Sequence, residues 1–261
     1  MKNISMLISA TTLLLSSLPL YAKDDALIKK VFNKYAVEGT MIVSSHDGTQ
    51  QYIYNKERSK QEFLPASTFK LLNTLIGLKE GVISENTVFK WDGKDRGWNM
   101  WNKDQTLKSA LSYSCVWCYQ QVAQKVGNSK YLDHFDKVNY GNKKTGPNVQ
   151  RFWLDGNLRV TAWQQIDLLK KIYDEKLPYP KQDMETLKKI MVIEKKPSYT
   201  LYGKTGWANN AIQQVGWFVG FVETKKGPWF FAMNIKMTEM KQAPIRKAIT
   251  KEVLLGKKII F

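Results

Sequence analysis

The chain has 261 residues, with 40 Lys and Arg against 23 Asp and Glu and a formal charge of +17. That length suffices for one sizeable core, and the absence of repeats, low-complexity tracts and Pro/Gly/Ser linkers excludes fibrous and largely disordered classes. The lysines are scattered, mostly as pairs such as Lys29-Lys30, Lys143-Lys144, Lys188-Lys189 and Lys257-Lys258, with no basic stripe interleaved with aromatics. This argues against a nucleic-acid partner and leaves solubility and attraction of small anions into a positive cleft.

Residues 1–22 read as a secretory signal peptide: Lys2 is the positive start, Met6 to Leu20 is mostly apolar, and Leu20-Tyr21-Ala22 offers a cleavage site, although Leu20 is larger than the residue preferred there. The apolar stretch is shorter than the roughly 20 residues a membrane span needs. A periplasmic or secreted protein of residues 23–261 is expected, with no membrane partner once the signal is removed.

Residues 26–35 form an amphipathic pattern, and 40–45 and 51–55 read as two strands about the Asp47-Gly48 turn. Ala66 to Glu80 is expected to be helical, with Pro65 at its first turn and Gly81 as C-cap. Thr106 to Gly127 reads as one further helix, followed by helices over Ala162 to Tyr173 and Met184 to Ile193. Tyr199 to Lys204, Gln214 to Glu223 and Pro228 to Met237 are β-branched and aromatic runs expected to be antiparallel strands, and Ile245 to Leu255 a closing helix. Strands, then helices, then strands and a helix predict an α+β chain. An α/β lobe of about residues 23–60 and 196–261 would pack on a mainly helical lobe of about 61–195.

Where those lobes would meet lies Pro65-Ala66-Ser67-Thr68-Phe69-Lys70. Residues i and i+3 share a helix face, so the Ser67 hydroxyl and the Lys70 amine would point into the same space. A serine hydroxyl alone is a poor nucleophile and needs an adjacent base. A lysine becomes one only if burial lowers its pKa from about 10.4 towards 7, a differential of roughly 4.6 kcal/mol. Phe69, Val116, Trp153 and Leu154 are candidate walls of such a cavity. Lys204-Thr205-Gly206-Trp207 would face Ser67 from a strand, Lys204 bringing positive charge, Thr205 a hydroxyl and Gly206 close backbone approach. The backbone N–H groups of Ser67 and Trp207 are the candidate oxyanion hole.

Cys115 and Cys118 form a C-x-x-C, but the surrounding helix-like pattern does not suit a redox motif. With His46 and His134 the only histidines, no tetrahedral metal site is expected. Two buried thiols are the preferred reading of the pair; a disulfide in an oxidising compartment stays open.

Ser67-x-x-Lys70, Ser114-Cys115-Val116, Tyr140-Gly141-Asn142, Phe152-Trp153-Leu154-Asp155-Gly156 and Lys204-Thr205-Gly206-Trp207 together resemble the class D (oxacillinase-type) serine β-lactamases, over essentially the whole mature length. Unlike class A relatives, the chain has Ser114-Cys115-Val116 in place of Ser-Asp-Asn and no Glu-x-x-x-Asn element. The resemblance implies the serine β-lactamase/penicillin-binding-protein fold, an antiparallel sheet flanked by helices plus a mainly helical lobe. It implies hydrolysis of β-lactam antibiotics through a Ser67 acyl-enzyme, and hence resistance. It also implies an N6-carboxylated Lys70, formed with CO2 or bicarbonate, as general base, with no other cofactor and no metal. Trp153 would hold the carbamate, Val116 would keep water off it, Ser114 would relay a proton to the leaving nitrogen, and Arg246 would bind the substrate carboxylate. Tyr140-Gly141-Asn142 is expected to be a structural turn bordering the site. The alternatives are a β-lactam-binding sensor domain that is acylated without turnover, and a penicillin-binding transpeptidase.

Overall fold

The computed structural model describes residues 24–261; the expected signal segment lies outside the described residues. Helix α1 (Ala26–Lys34) is capped by the Asp25 carboxylate, which accepts from the Ile28 N–H at 3.0 Å. The hairpin β1 (Gly39–Ser45) and β2 (Gln51–Tyr54) follows, then α2 (Lys56–Lys60), a 3-10 turn over Ala66–Phe69 and α3 (Lys70–Lys79). A short ribbon of β3 (Val88–Phe89) and β4 (Gln105–Thr106) precedes α4 (Leu107–Ser112), α5 (Val116–Val126), α6 (Asn128–Val138), α7 (Ala162–Tyr173) and α8 (Lys181–Met191). The chain then returns as β5 (Val192–Lys195), β6 (Tyr199–Ala208), β7 (Val215–Thr224) and β8 (Gly227–Lys236), and closes with α9 (Ala243–Gly256).

One antiparallel sheet runs β2-β1-β8-β7-β6-β5, so the N-terminal hairpin pairs with the last strand. Side chains alternate across a strand, and β7 shows why the sheet is covered on both faces. Its Val215, Trp217, Val219 and Phe221 join the core formed with α3 and α7, while Phe218 and Val222 join the core formed with α1 and α9. Helix α3 lies deepest: residues 70–77 are all buried, as suits a helix enclosed by other elements rather than resting on a surface. No helix among the described residues is long and apolar enough to cross a membrane.

Three expectations need correction. The helix expected from Thr106 to Gly127 is two helices, because Ser114 takes a left-handed backbone (φ +55°) that ends α4. The Ser114 N–H donates to Leu111 O (3.2 Å) and the Cys115 N–H to Ala110 O (2.9 Å), which is the Schellman pattern, with serine where glycine usually sits. The helix expected to continue to Ile193 stops at Met191, and Val192–Lys195 becomes an edge strand instead. Cys115 and Cys118 are a disulfide, not two thiols.

Candidate active site

Ser67 lies on the 3-10 turn and Lys70 opens α3. In a 3-10 turn residues i and i+3 eclipse one another, and the Lys70 amine donates to Ser67 Oγ at 2.9 Å. Ala66 enters the turn with φ +47°, a conformation that costs a non-glycine residue of order 1–3 kcal/mol and must be held by its surroundings. It is held from two sides. The Ala66 N–H donates to Trp153 O at 3.0 Å. The Thr68 hydroxyl donates to Pro65 O and accepts from the buried Gln165 amide, both at 2.7 Å.

Lys70 is fully buried, and among the described residues it forms no ion pair. Desolvation disfavours its ammonium form and pushes the pKa down to about 7. Its amine lies 5.3 Å from the centroid of the Tyr119 ring, whose hydroxyl is tied to Thr74.

Strand β6 forms the opposite wall. Beyond Tyr202 it has lost β5, so its edge over residues 203–208 is free to face the Ser67 turn. Gly206 meets that turn so closely that a Cβ would come 3.0 Å from Pro65 O and 3.2 Å from Ser67 N. The Arg246 Nη1 donates to both Gly206 O (2.5 Å) and Trp217 O (3.2 Å), which are register partners. Two carbonyls that near each other mark a hydrogen-bonded pair of the ladder. Antiparallel alternation then turns the next N–H, that of Trp207, away from β7 and towards the cleft. The Ser67 N–H lies in the first turn, where no intrahelical acceptor exists. The Ser67 and Trp207 N–H groups are thus left free of the turn and of the β6–β7 ladder.

Lys204, 3% exposed, donates to the Ser114 hydroxyl and, at 2.9 Å, to Thr205 O. Burial first, and then the charges of Lys70, Arg246 and Lys247, hold its pKa well below the usual lysine range. Burial likewise pushes Arg246 down to about 10. Among the described residues none of these four cations is in an ion pair. The region therefore has a standing need for anions.

A cleft of about 530 Å³ opens over this assembly. Ser67, Ser114, Val116, Thr205, Gly206, Trp207 and Arg246 line it, whereas Lys70, Trp153 and Lys204 do not form its wall and are buried. Leu154 lines the cleft, and Phe69 is buried in an aromatic cluster with Phe152 (5.2 Å) and Trp153 (5.5 Å). The Trp153 indole N–H is buried and has no acceptor among the described residues. Tyr140-Gly141-Asn142 does not line the cleft; the Tyr140 ring packs 6.0 Å from that of Phe69, and Asn142 Oδ1 accepts from the Arg159 N–H at 3.0 Å.

Sequence reasoning missed Tyr113 and Met240 of the apolar rim. Trp98, Met100, Tyr113 and Met240 line the cleft mouth while each stays more than a third exposed. Tyr113 had a signal, its place beside Ser114; Met240 had none, because the fold alone brings it there.

The chain matches the family model "Penicillin binding protein transpeptidase domain" over residues 33–255. It is 39% identical over 230 residues to beta-lactamase OXA-48 of Klebsiella pneumoniae, covering 88% of this chain and 87% of that protein. It is 36% identical over 216 residues to the probable beta-lactamase YbxI of Bacillus subtilis, covering 82% of this chain and 80% of that protein. Among solved structures, the class D beta-lactamase FUS-1 (OXA-85) of Fusobacterium nucleatum superposes with a TM-score of 0.89 at 34% identity, covering 92% of this chain and all of that one.

Proposed function

The chain belongs to the class D β-lactamases, within the penicillin-binding-protein transpeptidase family, and on that premise we propose that it hydrolyses β-lactam antibiotics through an acyl-enzyme on Ser67 and thereby confers resistance. The observation that carries the reading is the Ser67–Lys70 pair: a hydroxyl at the cleft floor, 2.9 Å from an amine that burial brings to about 7. At neutral pH a large share of that amine is unprotonated, and an unprotonated amine can accept the hydroxyl proton.

The buried amine also suits reaction with CO2. Its nitrogen lone pair forms the N–C bond and one proton leaves, so that Lys70 becomes an anionic carbamate. This turns one of the four unpaired cations into an anion that can partly balance the other three, Lys204, Arg246 and Lys247, and the orphaned Trp153 N–H supplies a hydrogen-bond donor of the kind a carbamate needs. An unpaired buried donor costs about 1–3 kcal/mol, which an acceptor there would recover.

In acylation, Lys70 takes the Ser67 proton as Oγ attacks the lactam carbonyl. The developing oxyanion lies between the N–H groups of Ser67 and Trp207. The ring C–N bond then breaks, and Ser114, hydrogen-bonded to Lys204, gives its proton to the leaving nitrogen and takes up the one Lys70 received, which returns Lys70 to its basic form. Arg246 and Thr205 hold the substrate carboxylate. Lys70 then takes a proton from the water that attacks the ester and returns it to Ser67 Oγ as the C–O bond breaks, which restores both groups. Val116, on the cleft wall, limits water near the base. The apolar rim suits substrates with hydrophobic side chains.

Secretion, through a signal over residues 1–22, would put the enzyme where β-lactams arrive. The direct test is hydrolysis of a chromogenic β-lactam, with many turnovers expected for the wild type and none for Ser67→Ala. A single burst of one equivalent would favour the sensor reading instead.

A further inference from the structure

We propose that the Cys115–Cys118 disulfide is a positioning device for Ser114, fixing its hydroxyl for proton transfer to the leaving nitrogen; the inference rests on the hydrolase reading given above.

Ser114 stands between two helices on a connection of only three residues. Its left-handed backbone suits glycine better than serine, so the conformation persists only if its neighbours impose it. On the N-terminal side, the Schellman bonds from Ser114 N and Cys115 N to the end of α4 do so. On the C-terminal side, the work falls to Cys115, the N-cap of α5, whose sulfur accepts from the Cys118 N–H at 3.2 Å. Sulfur is a weak acceptor compared with the Ser, Thr, Asp and Asn oxygens that ordinarily cap helices. The covalent bond to the Cys118 sulfur replaces that missing strength: it locks the residue after Ser114 to the first turn of α5.

Two features assign the link to local geometry rather than to global stability. It spans a sequence separation of 3, and the chain-entropy benefit of a cross-link grows with the length of the loop it closes. Both cysteines are also fully buried, which places the bond inside the wall that carries Ser114 and Val116 into the cleft. Lys204 cannot hold Ser114 alone, since a single hydrogen bond leaves the peptide free to rotate about it.

The test compares the wild type with Cys115→Ser/Cys118→Ala in single-turnover experiments that separate acylation from deacylation. Serine restores an oxygen N-cap, so helix α5 keeps its start while the covalent link is gone. The expected result is acylation slowed about tenfold or more, in line with the cost of small misplacements of catalytic groups. Deacylation of the preformed acyl-enzyme should slow clearly less than acylation, because Ser114 does not act in that step, and the melting temperature should fall by no more than a few degrees, as suits so short a loop. Acylation within about twofold of wild type would overturn the inference, as would equal slowing of both steps accompanied by lower melting temperature. So would two free thiols on alkylation of the purified protein. A wild type that is not acylated by any β-lactam would overturn the hydrolase reading, and this inference with it; equal acylation of both proteins overturns this inference alone.

Discussion

The missing side chain of Gly206 is what lets Ser67 and β6 form one site: a Cβ there would lie 3.2 Å from the Ser67 nitrogen and 3.0 Å from Pro65 O. Both contacts are to backbone, which cannot swing aside as a flexible side chain would. Gly206→Ala must therefore push β6 away from the turn by a few tenths of an ångström. The Trp207 and Ser67 N–H groups would separate, and kcat/KM for a chromogenic β-lactam should fall by about ten- to a hundredfold. Steady-state kinetics checks this, and circular dichroism should show an intact fold.

Lys70 links the chemistry to stability. Its ordinary pKa of 10.5 is pushed to about 7 in the folded state by burial alone. Between these values the unfolded chain binds a proton that the folded chain does not, so stability is fullest above 10.5 and falls as pH is lowered through the window to about 7. A shift of that size corresponds to something on the order of 4–5 kcal/mol. In CO2-free buffer, Lys70→Met should be inactive but more stable than the wild type at pH 7. The difference should shrink as pH rises towards 10, as measured by denaturant unfolding at several pH values. A wild type as stable as the variant at pH 7 would mean that the buried amine carries no such cost.

Trp153→Phe keeps most of the aromatic packing against Phe69 and Phe152 and removes only the unpaired N–H and part of a ring. Deacylation should slow at least tenfold, and more bicarbonate should be needed for half-maximal activity. A bicarbonate titration of both proteins measures this; superimposable curves would remove Trp153 from the site.

Arg246 spends one terminal nitrogen on Gly206 O and Trp217 O. Arg246→Ala should raise KM for carboxylate-bearing β-lactams by roughly ten- to a hundredfold, the span expected for a charge-assisted hydrogen bond of about 1.5–3 kcal/mol. Loss of those two bonds should also lower the melting temperature by a few degrees, visible by differential scanning fluorimetry.

Legibility in the sequence followed locality. Helix α7 was readable to the residue over Ala162–Tyr173, because an apolar stripe and a Thr161 cap with Gln164 coincide there. The long strands β7 and β8 declared themselves through aromatic and β-branched runs. The meeting of Ser67, Lys70, Ser114 and Lys204 was readable because short motifs specify the groups, even across the 134 positions that separate Lys70 from Lys204. What could not be read was strain. Neither Ser114 nor Ala66 is a residue type that announces a left-handed backbone, so the break between α4 and α5 and the 3-10 turn under Ser67 depend on tertiary packing. Likewise Val192–Lys195 resembles the end of the preceding helix until β6 offers it an edge to pair with, and Met240 reaches the cleft rim only through the path of the chain after β8.

The central claim is that Ser67 forms an ester that this chain then hydrolyses. Rapid-quench mass spectrometry after mixing with excess β-lactam tests it most directly. The account predicts an adduct of intact substrate mass on the peptide that carries Ser67, which forms at once and decays as hydrolysed product accumulates over many turnovers. An adduct on another residue, or one on Ser67 that persists after a single equivalent, would contradict it.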